Sequence, residues 1–105
     1  MITIKSATAQ YTGGSIYIYY GKLEDGTYFR AVDNMECIEI CDADTGTEDA
    51  DYQEFYDEHR LRTIEGADFH RFWNRMIDWI LKNSPDGNYM KADLKIRLLD
   101  PAESC

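Results

Sequence analysis

The order of hydrophobic and polar residues in the first forty positions is typical of β-strands. Residues 16–22 form a run of β-branched and aromatic side chains, and glycine-containing turns separate such runs. Asp25-Gly26 predicts a tight hairpin, because this dipeptide tolerates positive φ angles. The predicted strands lie around Ile2 and Ile4, then at 16–22, 27–32 and 36–41. We interpret this part of the chain as an antiparallel meander.

The middle of the chain changes to a helical period. Ring-bearing residues recur at helical spacing between about 49 and 62, namely Tyr52, Phe55, Tyr56 and His59. Thr45 and Glu48 precede this segment with the spacing of a capping box. A second helix at about 67–83 is predicted by an apolar stripe at i, i+3, i+4 spacing. Its members are Phe69, Phe72, Trp73, Met76, Ile77, Ile80 and Leu81.

The last part of the chain returns to alternation. Met90, Ala92, Leu94, Ile96 and Leu98 alternate with charged residues, which predicts a strand with one buried face. The order ββββααβ then predicts a two-layer α+β sandwich, in which two helices cover one face of a mostly antiparallel sheet. At 105 residues the chain is expected to form one domain, 1–105.

Charge is the least usual property of this sequence. No lysine or arginine occurs between Arg30 and Arg60, although the formal net charge of −9 arises in this interval. Its eleven carboxylates are Asp33, Glu36, Glu39, Asp42, Asp44, Glu48, Asp49, Asp51, Glu54, Asp57 and Glu58. Charges of both signs are usually interspersed on a surface. A surface of this kind repels phosphate and attracts cations, either metal ions or a basic macromolecular face.

The first predicted helix projects carboxylates as a row. On a helical wheel Asp51, Glu54 and Glu58 share one side, Asp57 flanks them, and the ring-bearing residues lie opposite. Neighbours in such a row are about 5–6 Å apart, close to the spacing of phosphates along a nucleic-acid strand. A cleft lined with lysine and arginine is expected to accept the row. The predicted partner-binding residues are Asp42, Asp44, Glu48, Asp49, Asp51, Glu54, Asp57 and Glu58.

This pattern favours a non-enzymatic protein-interaction module that needs no cofactor and docks on a basic protein surface. In size and charge the chain is similar to the small acidic inhibitors that phages and mobile elements direct against restriction and CRISPR nucleases. That similarity implies a nucleic-acid mimic that occupies the nucleic-acid site of an enzyme. The alternative interpretation is a solvated face that only keeps the protein soluble.

Two other functions remain open. Asp42, Asp44 and Glu48 surround a glycine turn, and such a loop can offer oxygen ligands to a divalent cation, although its spacing departs from that of an EF-hand. His59 follows Asp57 and Glu58, and His70 flanks the apolar stripe of the second helix, so a histidine with a nearby carboxylate is available as the general base of an enzyme. No serine or cysteine nucleophile is linked to either histidine by spacing.

The remaining residues limit the partners and the compartment. Tyr17 and Tyr19 share one strand face that could stack nucleobases, but too few basic residues lie near it for direct nucleic-acid binding. Trp79, beside the stripe of the second helix, is either a further core contact or part of a homodimer contact. Cys37 and Cys41 are expected to be core or half-buried thiols. An odd cysteine count, no leader and no long apolar run favour a cytoplasmic protein without a membrane role.

Overall fold

The computed structural model describes residues 3–12, 14, 16–44, 52–83 and 89–99. The elements in chain order are β1 (Ile4–Tyr11), β2 (Tyr17–Leu23), β3 (Tyr28–Val32), β4 (Ile38–Cys41), α1 (Tyr52–His59), β5 (Arg60–Ile64), α2 (Gly66–Asn83) and α3 (Tyr89–Lys95). The strands form one antiparallel sheet in the order β1-β2-β3-β4-β5. The predicted α+β sandwich is confirmed. In these ranges no helix is long and apolar enough to cross a membrane.

The predicted Asp-Gly hairpin joins β2 to β3. The backbone N–H of Leu23 donates a hydrogen bond to the carbonyl oxygen of Thr27 at 2.8 Å. Asp25 Oδ1 accepts a second bond from the Thr27 N–H at 2.9 Å. Gly26 has a φ of 92°, which residues with a Cβ rarely adopt. The turn is therefore the tight hairpin that the Asp-Gly sequence predicts.

The hydrophobic core lies between one face of the sheet and α2. Tyr19 and Phe29 project from neighbouring strands and contact Trp73 and Phe72 edge to face, with ring centroids 5.0 and 5.1 Å apart. The predicted apolar stripe is confirmed, and its buried members are Phe69, Phe72, Trp73, Met76, Ile77 and Ile80. Trp79 is half-buried and packs against this core, which agrees with the prediction of a further core contact.

The predicted strand at residues 90–98 is wrong, because α3 occupies Tyr89–Lys95. Met90 and Leu94 are four residues apart, a spacing that places two side chains on one face of a strand and also on one face of a helix. Leu94 is fully buried and Met90 packs against the core, whereas Ile96 is 81% exposed. Met, Lys, Ala and Leu favour helix, and the segment has few β-branched residues.

The predicted extent of the first helix is also wrong at its C-terminal end. The helix ends at His59, and Arg60–Ile64 form β5 at the edge of the sheet. Ile64 pairs with Ile38 and Thr63 pairs with Glu39, so β5 satisfies backbone groups that β4 would otherwise expose. Residues 45–51, which include the predicted start of this helix and its capping box, lie outside the described residues.

Helices contact both faces of the sheet. Phe29 faces α2, so its neighbour Arg30 faces the opposite side. There Nη1 of Arg30 donates a hydrogen bond to the hydroxyl of Tyr56 on α1 at 2.7 Å. The two helices that share one face are α2 and α3, whose Leu94 joins the same core. The predicted coverage of one face by two helices is confirmed, but α3, and not the first helix, is the partner of α2 there.

The carboxylate of Asp33, directly after β3, connects three parts of the fold. Asp33 is only 7% exposed. It accepts hydrogen bonds from the backbone N–H of Tyr17 at 2.8 Å and from the Tyr19 hydroxyl at 2.6 Å. Nη2 and Nε of Arg97, beyond α3, contact the same carboxylate at 3.0 and 3.1 Å. A buried charge requires such pairing, so this network fixes the end of α3 against β2 and β3.

Replacement of Asp33 by alanine is expected to reduce the free energy of unfolding by about 3 kcal/mol or more, because the Arg97 guanidinium loses its buried partner. Arg97→Met should also destabilise the protein, and the double variant should lose less than the sum of the single losses. Urea unfolding followed by tryptophan fluorescence measures these values. Glu24→Ala, at an exposed position, is the control and should change stability by about 0.5 kcal/mol or less. Additive losses would show that Asp33 and Arg97 do not act as a pair.

Candidate functional site

Five of the eight predicted partner-binding residues lie in the described part of the chain. Asp42, Asp44, Glu54, Asp57 and Glu58 are all exposed. The other three, Glu48, Asp49 and Asp51, lie outside the described residues. The structure therefore describes two parts of the predicted site, the residues directly after β4 and the helix α1.

The inner face of α1 is formed by side chains with rings. Phe55, Tyr56 and His59 are half-buried, and the Phe55 ring lies 4.7 Å from the His59 ring between centroids. Glu54 and Asp57 are exposed, as the helical wheel predicts for residues on the opposite side. The described residues of α1 thus separate into an aromatic face and a carboxylate face. We call Glu54, Asp57 and Glu58 the acidic row.

A buried arginine anchors this helix to the sheet. Arg30 is 7% exposed, and its Nη1 donates to the Tyr56 hydroxyl. Its guanidinium carbon also lies 5.9 Å from the centroid of the Tyr56 ring. Burial raises the pKa of the Tyr56 hydroxyl, although the charge of Arg30 opposes this effect. Tyr56 therefore remains a neutral partner for the guanidinium at neutral pH.

A second contact joins the end of α1 to the end of β4. Nδ1 of His59 lies 2.9 Å from Oδ1 of Asp42, and the Asp42 N–H donates to the carbonyl oxygen of His59 at 3.0 Å. The other ring nitrogen of His59 lies 3.7 Å from a carboxylate oxygen of Glu58. These contacts bring Asp42 next to the acidic row, although Asp42 precedes α1 by ten residues in sequence.

Among the described carboxylates of the acidic stretch, two point inward. Asp33 is paired with Arg97, as described above. The Glu39 side chain is 16% exposed, and its Oε2 lies 3.5 Å from Nη1 of Arg60. The same oxygen accepts a hydrogen bond from the Thr63 hydroxyl at 3.1 Å. Arginines of this chain therefore neutralise part of the stretch, and the acidic surface is smaller than the sequence alone indicates.

Two cysteines, Cys37 and Cys41, lie in the described part of the chain. Cys41 is fully buried and Cys37 is half-buried, which confirms the prediction for both. Burial is the main reason that the pKa of the Cys41 thiol rises to about 11 from its ordinary value of 9.0. Burial and the nearby Glu39 carboxylate also raise the pKa of Cys37.

The metal hypothesis remains a prediction. Among the described residues no group of three or more His, Cys, Asp and Glu side chains could hold a metal ion. Asp42 faces His59, and Glu48 lies outside the described residues.

One histidine lines a cleft that the sequence did not predict. The cleft has a volume of about 480 Å³ and lies between the residues after β3, the start of α2 and the residues after α3. His70 is in its wall, but the nearby Asp33 and Arg97 are already bonded to each other. None of the described residues that line it is a serine or a cysteine. Its walls come from three segments distant in sequence, so no local pattern indicated it.

Comparisons of the chain with models of protein families, with curated proteins and with solved structures give no match. Function is therefore inferred from the residues of this chain alone.

Replacement of Tyr56 by phenylalanine is expected to reduce the free energy of unfolding by about 1–3 kcal/mol, because a buried hydrogen bond to the Arg30 guanidinium is lost. Tyr20→Phe is the matched control, because Tyr20 lies opposite Arg30 in the register and is half-exposed. It should change stability by about 0.5 kcal/mol or less. Urea unfolding compares both variants with the native protein. Equal effects would show that the Tyr56 hydroxyl does not anchor α1.

The Cys41 thiol is expected to react slowly with iodoacetamide in the folded protein until the pH approaches 11. At pH 8 only about one thiol in a thousand would be ionised, and the thiolate is the reactive form. The pKa of Cys41 is higher in the folded protein than in the unfolded chain. Its contribution to the free energy of unfolding is therefore complete below pH 9.0 and is lost as the pH rises through 11. Mass spectrometry of the Cys37→Ser/Cys105→Ser variant measures the rate. A rate profile with its midpoint near pH 9 would contradict the buried placement of Cys41.

Proposed function

We propose that this chain is a small, acidic, non-enzymatic and cytoplasmic protein-interaction module that docks on a basic surface. In its most concrete form it is an inhibitor of the anti-restriction or anti-CRISPR type, which occupies the nucleic-acid site of its target. The single observation that carries the proposal is the acidic row on the outer face of α1. The carboxylates Glu54, Asp57 and Glu58 are exposed there, while the inner face of the helix is held by Arg30 and Tyr56.

The geometry of the acidic row supports mimicry of a phosphate backbone. Residues three and four apart on a helix are neighbours at about 5–6 Å, so the row presents negative charges at intervals close to those of phosphates. Asp42 contacts His59 at the end of the helix, and its exposed carboxylate adds a further negative charge beyond the acidic row. Because α1 is anchored before binding, less conformational entropy is lost when a partner engages it.

Long-range attraction is the second part of the proposal. A net charge of −9 on a chain of 105 residues attracts a basic cleft and raises the rate of encounter. The Debye length is about 10 Å at about 0.1 M salt and about 3 Å at about 1 M salt. Complexes that depend on the acidic row should therefore dissociate in concentrated salt.

The test compares two triple variants that change the net charge equally. Glu54→Lys/Asp57→Lys/Glu58→Lys reverses the acidic row, and Glu24→Lys/Glu65→Lys/Asp78→Lys reverses exposed carboxylates elsewhere. Immobilised proteins are incubated with a lysate of the native host, and retained proteins are identified by mass spectrometry. Double-stranded DNA is then added as a competitor. We expect a nucleic-acid-binding protein that the native chain and the control variant retain, that the acidic-row variant fails to retain, and that DNA releases.

Two results would overturn the proposal. The first is equal retention by both triple variants, because the acidic row would then contribute no more than other carboxylates. The second is a captured protein that DNA does not release, because its contact would lie outside a nucleic-acid site. Circular dichroism of both variants confirms that a loss of binding does not come from unfolding.

A further inference from the structure

The cleft beside Asp33 has the dimensions of a small-molecule site. Its volume is about 480 Å³, within the range of roughly 300–1,000 Å³ that is usual for ligand pockets. Aromatic side chains of α2, Phe69 and Trp73, form one wall, and Ile96 and Leu98 form another. Ile96 is 81% exposed and Leu98 is 38% exposed, so apolar surface is open to solvent at this position. A ligand with an apolar body would cover it.

The charges around the cleft favour a cationic ligand. Nε and Nη2 of Arg97 contact Asp33, and Nη1 donates to the carbonyl oxygen of Asp93 at 2.7 Å. Each guanidinium nitrogen therefore has a hydrogen-bond or ion-pair partner, and the Asp33 carboxylate is neutralised by Arg97. Among the described residues that line the cleft, Glu36 is then the one carboxylate without an opposing charge. Its side chain is exposed and available to an ammonium group.

The backbone that carries Glu36 has an unusual conformation. Asn34 has a φ of 71° and Glu36 has a φ of 43°, both in the left-handed region. Asparagine tolerates this region, but glutamate adopts it rarely. Both residues line the same cleft. Left-handed conformations of residues other than glycine cluster at ligand sites, where the surrounding structure holds a side chain in a required position.

From these observations we infer that the cleft binds a small aromatic amine. The ring of the ligand packs among Phe69, Trp73 and Ile96, and its ammonium pairs with the carboxylate of Glu36. This site is separate from the acidic row on α1 and does not depend on the function proposed for that row.

The test uses 2-phenylethylamine as the probe and the full chain labelled with ¹⁵N. Trp73 donates its indole N–H to the carbonyl oxygen of Arg97 at 2.8 Å, so its indole resonance reports on the cleft. Trp79, half-buried on the same helix, does not line the cleft and is the internal reference. We expect the amine to shift the Trp73 indole resonance, with a dissociation constant of about 1 mM or lower for so small a ligand. The anion 3-phenylpropionate, of similar size, should bind about tenfold more weakly because Glu36 repels it.

Glu36→Gln removes the charge and keeps the side-chain length, and it should weaken binding of the amine about tenfold, or roughly 1.4 kcal/mol. Asp78→Asn is the matched control, because it removes one exposed carboxylate of α2 and the same unit of charge. It should leave the affinity unchanged. The inference is overturned if the amine does not shift the Trp73 resonance, if the anion binds equally well, or if Glu36→Gln and Asp78→Asn have the same effect.

Discussion

The buried carboxylate of Asp33 is the interaction on which the arrangement of this molecule depends. It stands at the end of β3 and receives hydrogen bonds from β2 and from Arg97, 64 residues further along the chain. A carboxylate that is 7% exposed would be unstable without these partners. Burial lowers the pKa of Arg97, but the hydrogen bond and the charge of Asp33 outweigh this effect and raise it. Burial and the hydrogen bond to Asp33 raise the pKa of Tyr19. The network therefore holds α3 at the edge of the core and also defines one side of the cleft.

A buried arginine has the corresponding role on the opposite face of the sheet. Arg30 lies next to Phe29 in β3, and the alternation of the strand sends one side chain to the core and the other to α1. Tyr56 accepts the hydrogen bond of Arg30, and Glu39 pairs with Arg60 nearby. These contacts determine which carboxylates of the acidic stretch are neutralised inside the protein and which are exposed on α1. The acidic row is thus a product of side-chain pairing on the inner face as well as of composition.

Much of the fold could be predicted because its signals are local. The stripe of α2 combines six buried residues at helical spacing, and the Asp-Gly turn determines its own geometry. Two of the differences from prediction concern secondary structure, and each has its own physical origin. Residues 90–98 carry an apolar spacing of four that fits either periodicity, and Arg60–Ile64 become a strand because β4 needs a partner for its backbone. The composition of residues 90–98 favours a helix, whereas the strand Arg60–Ile64 depends on β4 and cannot be obtained from its own residues alone.

The sequence by itself determined the strands of the meander, the core face of α2 and the excess of carboxylates between Arg30 and Arg60, since each depends on neighbours in the chain. Only the tertiary structure decided that Asp33 and Glu39 face arginines, that Asp42 meets His59, and that Glu36 stands at the mouth of a cleft. The reason is that a carboxylate is neutralised through space, and the arginines that pair with Glu39 and Asp33 lie 21 and 64 residues away in the sequence.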